Sequence, residues 1–105
     1  MQVDDLQGKV ADFVRQHDLQ ASIPHRLLDL ISEAGELCKE VLKSTEYGRQ
    51  PFIKTKALEQ ELGDLFFSLL CAANSTGVDL EAAIQATLIR YEQRVHDHGG
   101  PGSGA

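Results

Sequence analysis

One short pattern, written twice, constrains this chain more than any other feature. Glu33-Ala34-Gly35-Glu36-Leu37 returns as Glu61-Leu62-Gly63-Asp64-Leu65. In each copy two carboxylates stand three residues apart, a glycine precedes the second acid and a leucine follows it. Residues spaced this way share one side of a helix, and both copies lie in apolar runs of helical period. Leu27, Leu30, Ala34, Leu37, Cys38 and Val41 make one stripe at about 100° per residue; Leu58, Leu62, Leu65, Phe66, Leu69 and Ala73 make another. Asp29, Glu33, Glu36 and Glu40 flank the first stripe, and Glu61 and Asp64 flank the second at the same angular offset. The acids therefore lie along the seam where a neighbouring helix packs, not opposite the core.

The remaining sequence supplies two more helices and their punctuation. Val3, Leu6, Val10, Phe13 and Val14 predict a first helix over about 3–17. Asp4 and Asp5 suit its N-terminal end, and Arg15 and His17 its C-terminal end. Ser22 reads as the N-cap of a second helix over about 24–43, with Pro24 tolerated in its first turn. A third helix runs over about 56–75, and Phe67 and Leu70 widen its apolar surface. A helix apolar over so much of its girth is buried on more than one side, which asks for subunit contacts. Gly77 ends it, and Asp79 caps a fourth helix over about 80–96, whose inner face is Leu80, Ala83, Ile84, Thr87, Leu88 and Tyr91. Residues 44–55, with Gly48 and Pro51, break the periodicity. Tyr47, Arg49, Phe52 and Lys54 make this connection either a candidate lid or a plain polar link.

The expected fold class is all-α: one domain over 1–97, a helical bundle of about four helices completed by oligomerisation. A chain of 105 residues buries only a modest core alone, which points the same way. Residues 98–105 read as a flexible glycine-rich tail, and His96 and His98 beside it offer only adventitious chelation.

Surface acids ordinarily have salt-bridge partners three or four residues away. Glu33 meets Asp29, Leu30, Glu36 and Leu37 at those offsets, and Glu61 meets Ala57, Leu58, Asp64 and Leu65. Asp64 has no base there, while Glu36 reaches only Lys39 and also faces Glu40. A helix-interior glycine costs about 1 kcal/mol relative to alanine, so Gly35 and Gly63 imply a backbone or ligand that must come close. Uncompensated acids, two per helix beside a packing seam, read as a divalent-cation site. Oxygen donors alone favour Mg2+, with Mn2+ as second choice, over Zn2+. Neither copy has the histidine that the Glu-x-x-His of a di-iron bundle requires.

The net charge of −6 argues against general nucleic-acid binding, which needs a basic footprint. No apolar run approaches the ~20 residues that span a bilayer, so no membrane partner is expected. Met1-Gln2-Val3-Asp4-Asp5 lacks the basic and apolar regions of a secretory signal, and Cys38 and Cys71 stand apart as reduced thiols. A cytoplasmic location is expected.

Glu33-x-x-Glu36, a gap, then Glu61-x-x-Asp64, with both glycines, resembles the signature of the MazG-like, all-α nucleoside triphosphate pyrophosphohydrolases. The likeness covers roughly 27–94, including the Ala73-Asn74 helix end and the Gly77-Val78-Asp79-Leu80-Glu81 turn. It implies Mg2+-dependent hydrolysis of a (deoxy)nucleoside triphosphate to the monophosphate and pyrophosphate, a nucleotide-pool housecleaning activity. It implies that Glu33, Glu36, Glu61 and Asp64 hold the metal, and that sites form in homodimers or homotetramers. Ser32 stands where many relatives carry a further acid, so water activation falls to Glu33 or Glu36. Substrate contacts fall to Lys39, Asn74, Arg90 and Arg94. Many relatives carry a Lys…Lys-Asn…Arg set on the last helix; here those positions read Thr87, Arg90, Tyr91 and Arg94, and only the arginines keep the charge. Lys43, Arg49 and Lys54 are weaker candidates, and no tryptophan is present to stack a base. Two other readings stay open. One is a non-catalytic helical module that binds a cation or partner through the acidic seam. The other is a phosphoribosyl-ATP pyrophosphohydrolase, which shares the helical superfamily.

Overall fold

The computed structural model describes residues 2–102 and contains four helices: α1 Val3–Gln16, α2 Ile23–Ser44, α3 Lys56–Thr76 and α4 Leu80–His98. Capping side chains set where three of them begin. The Ser22 hydroxyl accepts from the His25 N–H at 3.3 Å, and the Thr55 hydroxyl from the Leu58 N–H at 3.1 Å. The Asp79 carboxylate accepts from the N–H groups of Glu81 and Ala82 at 3.0 and 3.3 Å. Each satisfies donors that a first helical turn leaves unpaired, and such caps stabilise a helix by about 1 kcal/mol. Gly77, at φ 72°, closes α3 in the left-handed conformation that glycine adopts without strain. His98, read from sequence as the first tail residue, is the last residue of α4, and Arg94 donates to the Pro101 carbonyl at 3.2 Å. The remainder of the predicted tail, 103–105, lies outside the described residues.

The principal packing joins α2 to α3, which are linked by residues 45–55 and run antiparallel. α1 lies against α3 and touches α4. Phe13 of α1 meets Phe67 of α3 edge-on, with ring centroids 5.9 Å apart. Gln7 ties α1 to the α3–α4 turn. Its amide donates to the Asn74 side-chain oxygen at 3.2 Å and to the Val78 carbonyl at 2.9 Å, and accepts from the Leu80 N–H at 2.8 Å. The Asn74 amide donates back to the Gln7 carbonyl at 3.0 Å.

The core is small and sits in the second half of α3, where Ser68, Leu70, Cys71, Ala72 and Ala73 are buried. The apolar stripes are only half used. On α3 the face toward α2 runs through Leu58, Glu61, Leu65, Ser68 and Ala72, all at least half-buried. Leu27, Val41, Leu62, Phe66 and Leu69, assigned to the stripes from sequence, are between 36% and 49% exposed. Those stripes straddle two faces, one covered by the partner helix and one uncovered.

The expected inner face of α4 is open as well. Ile84, Leu88 and Tyr91 are exposed, and the helix has no buried residue, because it leans on α1 rather than lying along α2. One chain therefore holds the four expected helices without closing them into a bundle. Its radius of gyration is 16.7 Å, against about 13 Å for a compact chain of this length. Its accessible surface is 7601 Å², against about 5,800 Å² for a monomeric protein of this mass. No helix among the described residues is long and apolar enough to cross a membrane.

Candidate functional site

Helical geometry divides the four acids into two kinds. On α2 the face toward α3 carries Leu30, Glu33, Leu37 and Glu40, within an arc of about 80°. Glu36 falls about 40° beyond the edge of that arc, and Asp64 lies at the same offset beyond the face through Glu61. Glu33 and Glu61 are accordingly half-buried in the seam, while Glu36 and Asp64 are exposed at its rim.

Carboxylate oxygens of Glu33, Glu61 and Asp64 all lie within 4.8 Å of one another. Glu36 stands outside this group, although it is close enough to act on Glu61 electrostatically. Partial burial first, then the negative charges of Asp64, Glu33, Glu36 and Glu40, hold the Glu61 carboxyl above the ordinary glutamate range. Among the described residues no base pairs with any of the four. Lys54 and Lys56 reach Glu59 at 3.4 and 3.8 Å, His25 reaches Asp29 at 3.5 Å, and Arg15 pairs with Asp12. Salt bridging within the helices, the ordinary role of such acids, is absent from the cluster.

The donor set suits a hard divalent cation: three carboxylates, no thiolate, no imidazole, and no base among the described residues paired with them. Glu40 belongs to the same surroundings. It faces the seam seven residues after Glu33 and accepts from the Thr55 hydroxyl at 3.4 Å. Sequence reasoning passed over it as a site residue, although the two-turn interval from Glu33 was there to be read.

The other expected site residues lie elsewhere. Lys39 is exposed on α2, three residues past Glu36, with no ion pair among the described residues. Arg90 and Arg94 hold their guanidinium groups 5.5 and 5.4 Å from the Tyr91 ring centre, and Arg90 donates to the Thr87 hydroxyl at 3.4 Å. Both ride on α4, which does not pack along α2, so a single chain does not bring them to the acids. Asn74 is engaged at both ends of its amide by Gln7.

The glycine expectation needs correction within the chain. Nothing lies within 4 Å of the position a Cβ would take at Gly35 or Gly63. Both sit on the open rim beside Glu36 and Asp64, so any close approach has to come from another molecule.

A separate pocket of about 270 Å³ lies between α1, the start of α2 and the end of α3, lined in part by Arg15, Arg26, Cys71 and Asn74. Burial pushes the Cys71 thiol up, against the pull of Arg26 and with the help of Asp29, so this cysteine is an inert core thiol.

Comparison with known proteins agrees with the layout. The family described as the MazG nucleotide pyrophosphohydrolase domain matches residues 22–99. An uncharacterized protein of Bacillus subtilis (strain 168), YpjD, is 33% identical over 97 residues, which cover 89% of this chain and 86% of that protein. A solved structure described as the Bacillus-conserved MazG protein, a nucleotide pyrophosphohydrolase, superposes with a TM-score of 0.72 at 30% identity. That match covers 87% of this chain and 89% of the other.

Proposed function

We infer that this chain, which belongs to the MazG nucleotide pyrophosphohydrolase family and is thus a hydrolase of acid anhydrides, works with a divalent metal, as enzymes of that family do. We propose that it hydrolyses a (deoxy)nucleoside triphosphate to the monophosphate and pyrophosphate with Mg2+, Mn2+ being the second choice. The observation that carries this reading is the trio of Glu33, Glu61 and Asp64, oxygens within 4.8 Å and unneutralised by any base of the described chain. These three hold the cation. When bound, it offsets the charge of the triphosphate and acidifies water at the site.

The chain's own residues do the rest. Glu36, at the rim and outside the trio, has its carboxylate free to take a proton from the attacking water, the part of a general base. The water oxygen bonds to phosphorus, the α–β anhydride bond breaks, and pyrophosphate leaves. Glu33 and Glu61 are kept in place by their half-buried positions in the α2–α3 seam. Lys39, Arg90 and Arg94 supply positive charge to the phosphates, and guanidinium groups suit phosphate oxygens in paired hydrogen bonds. Because α4 leaves the acids of its own chain, the arginines reach the site from a second copy, and the working unit is a homodimer or homotetramer. The uncovered apolar faces of α2, α3 and α4 support that assembly.

The test is a panel of nucleoside triphosphates with Mg2+ or Mn2+, together with phosphoribosyl-ATP, scored for both phosphate products. Equimolar monophosphate and pyrophosphate from a nucleoside triphosphate is the expected result. Release of orthophosphate, or turnover of phosphoribosyl-ATP alone, contradicts the proposal.

A further inference from the structure

The pocket of about 270 Å³ between α1, α2 and α3 lies further along the groove that holds the acids. Arg26 stands seven residues before Glu33 on α2, and Cys71 seven residues after Asp64 on α3. Seven residues make nearly two whole turns, about 10 Å along a helix, so each pair shares one side of its helix. Because α2 and α3 run antiparallel, both steps lead the same way, from the acids to the pocket. Asp29 lies between, one turn from Glu33, and its charge, like that of Arg26, reaches the Cys71 thiol. Ribose and the α-phosphate separate a base from the α–β anhydride by a span of this order.

The lining suits a flat ring with a polar edge. Ala11, Val14 and Cys71 give it an apolar wall. Two of its polar groups are already engaged: Arg15 pairs with Asp12, and Asn74 with Gln7. Arg26 is half-buried and has no ion pair among the described residues. One of its guanidinium nitrogens donates to the Leu19 carbonyl in the α1–α2 connection, which turns the group away from the acids and holds it at the far end of the pocket. A guanidinium has only donors and no acceptor. Its remaining N–H groups match carbonyl oxygens and bare ring nitrogens, and clash with an amino group. Guanine presents N7 and O6 side by side, the pair that arginine meets with two parallel hydrogen bonds, whereas adenine and cytosine turn an amino group to the same edge.

We propose that this pocket receives the nucleobase and that Arg26 determines which base, so that the site selects guanine nucleotides over adenine and cytosine nucleotides. This rests on the nucleoside triphosphate reading. Metal and phosphates are held at the acids, and the choice among bases is made two turns away, by a side chain outside the acid repeats.

Calorimetric binding with Mg2+ present tests this, using the α,β-methylene analogues of guanosine and adenosine triphosphate, and inorganic tripolyphosphate, as probes. The wild type is expected to bind the guanosine analogue roughly tenfold more tightly than the adenosine one. Arg26→Ala is expected to abolish that preference and leave tripolyphosphate binding unchanged, which also shows that the variant is folded. Ser75→Leu, which fills the pocket from its exposed rim with Arg26 intact, is expected to weaken both nucleoside analogues and spare tripolyphosphate. Equal wild-type affinity for the two analogues overturns the proposal, as does a preference that survives Arg26→Ala. So does an Arg26→Ala variant that loses tripolyphosphate as much as the guanosine analogue, which makes Arg26 a phosphate contact, or a Ser75→Leu variant that binds both analogues normally. Pyrophosphate release on the same samples separates the two readings. Wild-type hydrolysis without base preference removes the base selection alone. An Arg26-dependent preference without pyrophosphate release upholds base selection and removes the hydrolase reading.

Discussion

A carboxyl that is half-buried among other acids resists ionisation, and Glu61 is such a group. Burial, then Asp64, Glu33, Glu36 and Glu40, raise its pKa from the ordinary 4.5. Between that value and the raised one, the folded, metal-free chain binds more protons than the unfolded chain. The stability of the metal-free protein therefore falls as pH rises through this window. Glu61→Gln removes the titrating proton, so thermal melting in chelator should decline less steeply with pH for this variant than for wild type. Equal slopes would assign the pH dependence to other groups. Asn74 allows a second test. Its amide is shared with Gln7 in both directions, so Asn74→Ala removes two hydrogen bonds between α1 and the end of α3. The expected cost is about 1–3 kcal/mol in denaturant unfolding, with turnover retained by the folded fraction. Unchanged stability with raised KM would give Asn74 the substrate contact that the sequence suggested.

Helix boundaries were legible because their causes are local. Ser22 and Asp79 cap, Gly77 stops, and the apolar period runs between them. The α2–α3 pairing was legible too, since the acids hold one offset from the stripe on both helices. The division among the acids was not. A three-residue spacing places Glu33 and Glu36 on one flank, and only packing decides which of them enters the seam. The course of α4 was hidden for a related reason. Periodicity identifies an apolar face but not what covers it, and Leu88 and Ile89, 60% and 70% exposed, have no cover in one chain. The start of α3 was read at about 56, where it lies, but the Thr55 hydroxyl that caps it was not singled out. The glycines misled in part: Gly35 and Gly63 have open space beside them, so their reason lies with substrate or a second copy.

An expanded chain with a small core leaves apolar helix faces uncovered, and these are the ground for the proposed assembly. The surface of 7601 Å² exceeds that of a compact monomer by about 1,800 Å², an amount that a large permanent interface takes from each subunit. Sedimentation at micromolar concentration should give a dimer or tetramer. Ile89→Asp, placing a charge on the uncovered face of α4, should shift it to smaller species that remain helical by circular dichroism. A wild-type monomer, or an Ile89→Asp variant that assembles normally, would remove the case for a second copy. The proposed metal and the proposed chemistry meet at Glu61, and thermal melting of wild type and Glu61→Gln with and without Mg2+, run beside pyrophosphate release, tests both together. Mg2+ should raise the wild-type melting temperature and support release of pyrophosphate with the monophosphate. Glu61→Gln should be at least as stable as wild type without metal, gain little from Mg2+ and lose most turnover. A wild type whose melting ignores Mg2+, together with a Glu61→Gln variant that hydrolyses triphosphate normally, would contradict a metal site built on Glu33, Glu61 and Asp64.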